Sequence, residues 1–414
     1  MQPTIISRDQ HTVSRKQMSQ EVLKVLYRLH RTGHLAYLCG GGVRDLLLGQ
    51  HVDDFDVATD AEPGRLKEVF RNCRLVGRRF RIAHIVFKGG KIIEVSTFRK
   101  KADGEEPAET GDSLLIKHDN TFGSPAEDAF RRDFTTNALF YNIADFTIID
   151  YVGGKTDLQS RLIRSIGDPD IRFQEDPIRI LRGVRLAATL GFQIEERTWE
   201  AMHRQRYHIA ECASPRIREE IMKMLRRNGT QKAFELLARA GVLQLLFPRL
   251  DDFLQGSCES YGTSTDCFWY YLASIDSLRH NGTEISDSLL LTVLTASPVM
   301  ASLEALPPGN DIAGYLHHYL EELFKPFAFP RFIRAQVELL HLALRHMLAP
   351  TRNKRRRSLR RSPLFGEAVK LLHIHCRATN SGWSALERWQ RPRGHHPSRS
   401  LYGKSQIPRV GRIS

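Results

Sequence analysis

The chain has 414 residues, of which 41% are hydrophobic; this is more than one domain's worth of sequence and enough for sizeable cores. Its net charge of +14 sits at one end, because residues 1–350 hold 45 basic and 45 acidic side chains while the last 64 hold 16 and 2. That split points to a polyanionic partner, most often nucleic acid. The six scattered cysteines argue against a zinc site or a disulfide scaffold, and no stretch reads as a secretory signal or membrane span, which together fit a reducing cytoplasm.

In chain order, residues 15–32 carry helical apolar spacing through Val22, Leu23, Leu26 and Leu29. Ala36 to Cys39 reads as a short strand. Gly40-Gly41-Gly42 then turns the chain into a helix that Gly49 closes. Phe55 to Ala58 reads as a strand, Pro63 to Phe70 as a helix, and Ala83–Phe87 with Ile92–Phe98 as a hairpin around Lys88 to Lys91. Lys100 to Gly111 is polar and acidic, and predicts a mobile loop. Ala138–Ile143 and Phe146–Tyr151 return to strand character. After Gly154 the pattern is almost wholly helical: Pro177–Leu190, Glu195–His208, Pro215–Arg227, Gln231–Leu246, and a looser helical region to about 348. The boundaries expected are an α/β head over 1–155, a helical neck over 156–228, a helical body over 229–348 and a basic, RNA-binding tail over 349–414, partly disordered in its last 30 residues.

Asp53, Asp54 and Asp56 press three carboxylates into HVDDFDVATD. On a strand, Asp54 and Asp56 share a face and Phe55 points into the core. Bare carboxylates this close raise each other's pKa, and a divalent cation removes that cost. Two such residues with a third from a neighbouring strand can hold a pair of Mg²⁺ ions for phosphoryl displacement. Upstream, Gly41, Gly42 and Arg44 form a glycine turn at a helix start, where backbone N–H groups can face a phosphate chain. Together these account for both ends of a nucleoside triphosphate with its metal.

The stretch LCGGGVRDLLLG…DDFDVAT resembles the first motif of the nucleotidyltransferase family that contains tRNA CCA-adding enzymes and bacterial poly(A) polymerases. Arg131 to Leu139 resembles the family's RRDFTxNAL motif, Asp150 to Gly167 its connector, and Glu175 to Arg182 its EDPxRxLR helix. The likeness spans about residues 5–250. It implies a DNA polymerase β-like head followed by all-α neck, body and tail. It implies Asp54 and Asp56 as metal ligands and catalytic residues, with two Mg²⁺ ions, or Mn²⁺ in their place, and ATP as substrate. Glu94, in IIEVSTF, is favoured as a ligand or base near the metals. Asp133 is either catalytic or organising. Gly41, Gly42, Arg44 and Arg132 are implied at the phosphates, and Asp176, Arg179 and Arg182 at the base. Asp176 and Arg179 are read as one helix face at i, i+3, a pair that suits adenine and cytosine alike.

Leu75 to His84 (LVGRRFRIAH) resembles the signature of the family's poly(A) polymerases, where CCA-adding enzymes usually carry an HGT segment. The sole adjacent His-Asp pair, His118-Asp119, has no metal-ligand set around it, unlike the His-Asp domain of some CCA-adding enzymes. The expected activity is template-independent addition of AMP to the 3′ ends of single-stranded RNA, promoting RNA turnover in a bacterial cytoplasm. RNA-decay or RNA-chaperone proteins are expected partners. CCA addition to tRNA is the first alternative, and a non-catalytic RNA-binding factor the second. In the tail, TRNKRRRSLRR has seven cations in eleven residues, Lys354, Arg355, Arg356 and Arg357 among them, as an RNA contact, with Trp383, Trp389 and Tyr402 as stacking candidates.

Overall fold

A computed structural model describes residues 2–52, 54–77, 81–100, 122–256, 265–349 and 353–391; of residues 353–356 it describes the backbone alone. The first part of the chain builds one eight-stranded sheet from β1 (Thr4–Ile6), β2 (Ala36–Cys39), β3 (Asp56–Thr59), β4 (Cys73–Val76), β5 (Ile82–Val86), β6 (Ile92–Thr97), β7 (Leu139–Asn142) and β8 (Ile148–Asp150). Their order across the sheet is β1-β8-β7-β2-β3-β6-β5-β4. The β3–β6 pair is parallel and the other pairs in this sheet are antiparallel.

Alternation along the strands sends Leu38, Val57, Ile85, Ile93 and Val95 to one face. There they bury against Val22, Val25, Leu26 and Leu29 of α1 (Gln20–Arg31), which Ser19 caps through the Val22 amide. α2 (Gly41–Leu47) and α3 (Pro63–Val69) complete this layer, contributing Val43, Leu46, Leu66 and Val69. The opposite face carries a smaller cluster of Tyr37, Cys39, Ala58, Phe98 and Phe140, roofed by Ala129 of α4 (Pro125–Arg131). Tyr37, Phe98 and Phe140 meet there with ring centroids 5.6–6.1 Å apart.

From Gly154 onward helices dominate. α5 (Gly154–Gln159), α6 (Pro169–Glu175) and α7 (Ile178–Leu190) lead away from the sheet, with a two-stranded parallel pair of β9 (Leu162–Ile163) and β10 (Gln193–Ile194) beside them. α8 (Glu196–Gln205), α9 (Ser214–Arg226), α10 (Thr230–Arg239), α11 (Leu243–Leu246) and α12 (Pro248–Leu254) follow. α13 (Asp266–His280), α14 (Asp287–Glu304), α15 (Ile312–Phe324) and α16 (Arg331–Leu348) pack next, and α17 (Asn353–Arg360), α18 (Phe365–Thr379) and α19 (Trp383–Gln390) close the described chain. None of the described helices is long and apolar enough to cross a membrane.

α7 is buried on nearly every side, and Gly183 is the reason it can be. A Cβ there would come within 2.3 Å of Met202 Cε and 2.8 Å of the Phe134 ring. The missing side chain lets the helix close onto the residues that precede β7.

Several sequence expectations change. The single helix expected over 231–246 is two, because Gly241 takes a left-handed φ of +67° between α10 and α11. The disorder expected from residue 385 is replaced by α19 as far as Gln390, whose Ala385, Leu386 and Trp389 are buried. Trp389 is therefore no stacking platform, and its indole N–H donates to Met347 O at 3.1 Å. Tyr402, His118-Asp119, and nearly all of the loop expected at 100–111 lie outside the described residues.

Candidate active site

The site grows from the end of β3. Phe55 is buried, while Asp54 and Asp56 on either side of it are exposed, as the alternation requires. β3 itself starts at Asp56, so Asp54 lies two residues before it. Register sets Asp56 opposite Cys39 of β2 on one side and opposite Glu94 of β6 on the other. Glu94 in turn faces His84 of β5, its Oε1 3.5 Å from Nε2.

The glycine turn closes over this row. Gly40 holds φ +72°, which side-chain-bearing residues rarely adopt. A Cβ on it would sit 3.3 Å from Arg132 Nη1 and 3.7 Å from Asp56 Oδ2. Gly42 lies against the Asp54 carbonyl and the Phe55 ring in the same way. The turn, Asp56 and the Arg132 guanidinium therefore converge on one cradle that added methyl groups would crowd.

Although the Asp56 side chain reaches solvent, the protein atoms crowded around its carboxyl desolvate it, and with the neighbouring Glu94 and Asp54 this pushes it above its ordinary value, with Arg132 opposing them in part. Among the described residues no three His, Cys, Asp or Glu side chains stand close enough together to enclose a metal ion by themselves. The Asp54 and Asp56 carboxylates are oxygen donors of the kind that suits a hard ion such as Mg²⁺, which takes one or two carboxylates and fills its remaining positions with water and substrate phosphate oxygens.

Arg132 is aimed by Asp128. Its Nε and Nη2 donate to Asp128 Oδ2 at 3.1 and 2.8 Å, and Nη1 donates to Asn137 O at 3.3 Å. The guanidinium lies 5.1 Å over the Phe140 ring. Burial would raise the Asp128 carboxyl, but Arg132 and Arg131 together hold it below the ordinary range.

Arg44 is buried beneath the turn. It donates to Asp45 (2.8 and 3.0 Å) and to Asn137 Oδ1 (2.5 Å). Asn137 passes the chain of contacts on, its Nδ2 donating to Asp133 Oδ1 at 3.2 Å. Asp133 is buried and also accepts from the Phe134 amide at 2.8 Å, and Arg182 Nη2 lies 2.7 Å from its Oδ2. Burial pulls the Asp133 carboxyl up, and Arg182, followed by Asn137 and the Phe134 amide, pulls it further down. These contacts join the sheet to α7 through Asp133.

The expected helical face of Asp176 and Arg179 is not formed. Asp176 ends α6 in extended conformation and α7 begins after Pro177, so the two residues flank a junction. Asp176 Oδ2 accepts from Arg216 Nη2 at 2.9 Å, while its Oδ1 is buried without a partner among the described residues. Arg179 donates to Arg172 O (2.8 Å) and to Glu175 Oε2 (3.3 Å), and Glu175 also accepts from Arg172 Nη1 at 2.8 Å. Asp128, Asn137, Arg172, Glu175 and Arg216 had no assigned part in the sequence reading. The Ser124-x-x-Glu127 capping box, which starts α4 and spaces Asp128 and Arg132 at i, i+4, could have found the first. Arg78, Arg79 and Phe80 lie outside the described residues. So do the side chains of Lys354, Arg355 and Arg356, while that of Arg357 is exposed on α17.

A family model described as "Poly A polymerase head domain" matches residues 36–164, and one described as "Probable RNA and SrmB- binding site of polymerase A" matches residues 191–254. The chain is 38% identical over 389 residues to a Poly(A) polymerase I of Salmonella typhimurium, spanning 91% of this chain and 83% of that one. It is 35% identical over 239 residues to a CCA-adding enzyme of Bacillus pumilus, spanning 58% of each. Among solved structures, the Bacillus stearothermophilus CCA-adding enzyme in complex with CTP shares the fold, with a TM-score of 0.65, 23% identity, and coverage of 90% of this chain and 81% of that one.

Proposed function

The chain belongs to the bacterial poly(A) polymerase I family and is a polynucleotide adenylyltransferase, and from that premise we propose that it extends the 3′ ends of single-stranded RNA with AMP taken from ATP, without a template. The observation that carries the reading is the register of Asp56 against Glu94 beside the Gly40 turn and Arg132. It supports this reading by bringing carboxylates and a guanidinium together beside the glycine turn.

In this reading Asp54 and Asp56 hold two Mg²⁺ ions. When bound, such ions activate an attacking hydroxyl and neutralise a triphosphate. The RNA 3′-OH attacks the α-phosphate of ATP, and pyrophosphate leaves. Gly41, Gly42 and Arg132 take the phosphates, Arg44 braces the turn from below, and Glu94 completes the ligand set or accepts the proton. The match of residues 191–254 to an RNA-binding family model supports RNA as the acceptor. We place the cationic helix α17, on which Arg357 is exposed, along its backbone and the protein in the bacterial cytoplasm.

Adenine is the base we assign to the junction of α6 and α7. Asp176 Oδ1, a buried acceptor without a partner among the described residues, suits an exocyclic amine. Arg216 and Glu175 each fix one member of the reading pair through an ion pair. A site so braced cannot re-form for a pyrimidine, which leaves groups unpaired at about 1–3 kcal/mol each. Labelled ATP and CTP, each offered with a generic RNA, test this. We expect ATP to be favoured by at least about tenfold, with repeated addition. Addition that stops at a completed CCA end, on tRNA alone and with CTP used first, would favour the CCA-adding alternative; no incorporation of either would favour a non-catalytic RNA-binding factor.

A further inference from the structure

Glu94 stands in a row that crosses the sheet on one face: Cys39, Asp56, Glu94, His84 and Arg74, from β2, β3, β6, β5 and β4 in turn. On the same face of β6 its neighbours are Ile92, which lies opposite Val86, and Ser96, whose hydroxyl donates to Val57 O at 3.5 Å. Glu94 therefore has Asp56, a like charge, on one side. On the other, His84 is its ion-pair partner among the described residues, at 3.5 Å. Ile92 offers its carboxylate no hydrogen bond, and the Ser96 hydroxyl is directed to the backbone instead.

We propose that His84 is the positioning residue of Glu94. Glu94 is half exposed, its side chain 50% accessible, and a glutamate so placed samples several rotamers. Its nearest acidic neighbour repels it away from the position a ligand or base must hold. His84 is 23% accessible on β5, a strand paired on both sides, so it is the more fixed of the two. By engaging Oε1 from the β5 side it restrains the carboxylate on the strand next to Asp56, where the cation is assigned. Side chains that orient a ligand from behind typically matter 10- to 100-fold in metal affinity or activity. This inference rests on the role given to Glu94 above.

The experiment uses the full chain and four forms: wild type, His84→Ala, His84→Gln and Glu94→Gln. Two readouts are taken: Mn²⁺ binding to the nucleotide-free protein by electron paramagnetic resonance, and kcat and KM for ATP. We expect His84→Ala to weaken Mn²⁺ binding and lower kcat by about tenfold, with KM for ATP shifted less than about twofold. His84→Gln, whose amide can donate to the same oxygen, should recover most of both. Unchanged Mn²⁺ binding in His84→Ala, or a glutamine variant no better than alanine, overturns the proposal. If Glu94→Gln weakens Mn²⁺ binding while His84→Ala does not, only the role of His84 falls. If Glu94→Gln also binds Mn²⁺ like wild type, the assignment of Glu94 falls with it.

Discussion

Asp133 Oδ2 lies 2.7 Å from Arg182 Nη2, so a buried carboxylate just before β7 grips the middle of α7. The same carboxylate is tied through Asn137 to Arg44 under the glycine turn. The glycine turn and α7 are thus linked by a chain of four side chains, Arg44, Asn137, Asp133 and Arg182. Asp133→Asn removes the charge at nearly constant volume and should destabilise the protein by about 2 kcal/mol in urea unfolding. Adding Arg182→Gln should cost little more, since its partner is already gone, giving a coupling of about 1 kcal/mol or above. Additive losses would show that the contact carries no energy.

Asp56→Asn should abolish incorporation and raise the Tm of the metal-free protein. The Asp56 carboxyl is pushed up by desolvation, Glu94 and Asp54, so its contribution favours the fold at low pH and is lost as pH rises through the raised folded value. The stabilisation by asparagine should be full at neutral pH and vanish below about pH 4, where the carboxyl is protonated folded and unfolded alike. Added Mg²⁺ should narrow the neutral-pH gap. A Tm difference independent of pH would contradict the assigned electrostatics.

Gly183→Ala pushes a methyl into Met202 and Phe134. Overpacking of this kind costs about 1–3 kcal/mol. Because α7 must back away from the sheet, KM for ATP should rise as well. A variant with wild-type stability would mean that both neighbours yield freely.

Arg216→Ala frees Asp176 from its brace. Arg216 is half exposed, so stability should change by no more than about 1 kcal/mol. The preference for ATP over CTP should fall from at least about tenfold to within about threefold. Unaltered selectivity would place discrimination elsewhere.

Replacing Lys354, Arg355, Arg356 and Arg357 with alanine should weaken RNA binding with little effect on ATP. At about 0.7 per phosphate contact, the salt slope for single-stranded RNA should flatten by roughly 3. An unchanged slope would mean that this run is merely solvated.

The glycine turn, the Asp54/Asp56 pair and the α5-onward helical change were legible because each is written in consecutive residues. The β5–β6 hairpin was legible through Lys88-Gly89-Gly90-Lys91. β1 was not, since three residues whose pairing partners are Ile148 to Asp150, at the far end of the sheet region, carry no local signal. The Asp176–Arg179 helix face failed because Pro177 was read inside one helix when it separates two. Arg216 lies 40 residues from Asp176, and no spacing rule reaches that far. Trp389 looked available because a basic tail hides the apolar spacing of Ala385, Leu386 and Trp389.

The parallel pairing of β3 with β6 has a consequence for how the protein folds. Asp56 and Glu94 are 38 residues apart, and strands running the same way cannot be joined by a tight turn. The pair meets only after the crossover through α3, β4 and β5 has closed, a loop-closure cost that local hairpins escape. The β4–β5 and β5–β6 hairpins can form early from neighbouring residues, and they carry no catalytic carboxylate next to another. Repulsion between Asp56 and Glu94 therefore enters at a late docking step, when the hydrophobic face behind Val57 and Val95 is already gaining contacts that offset it.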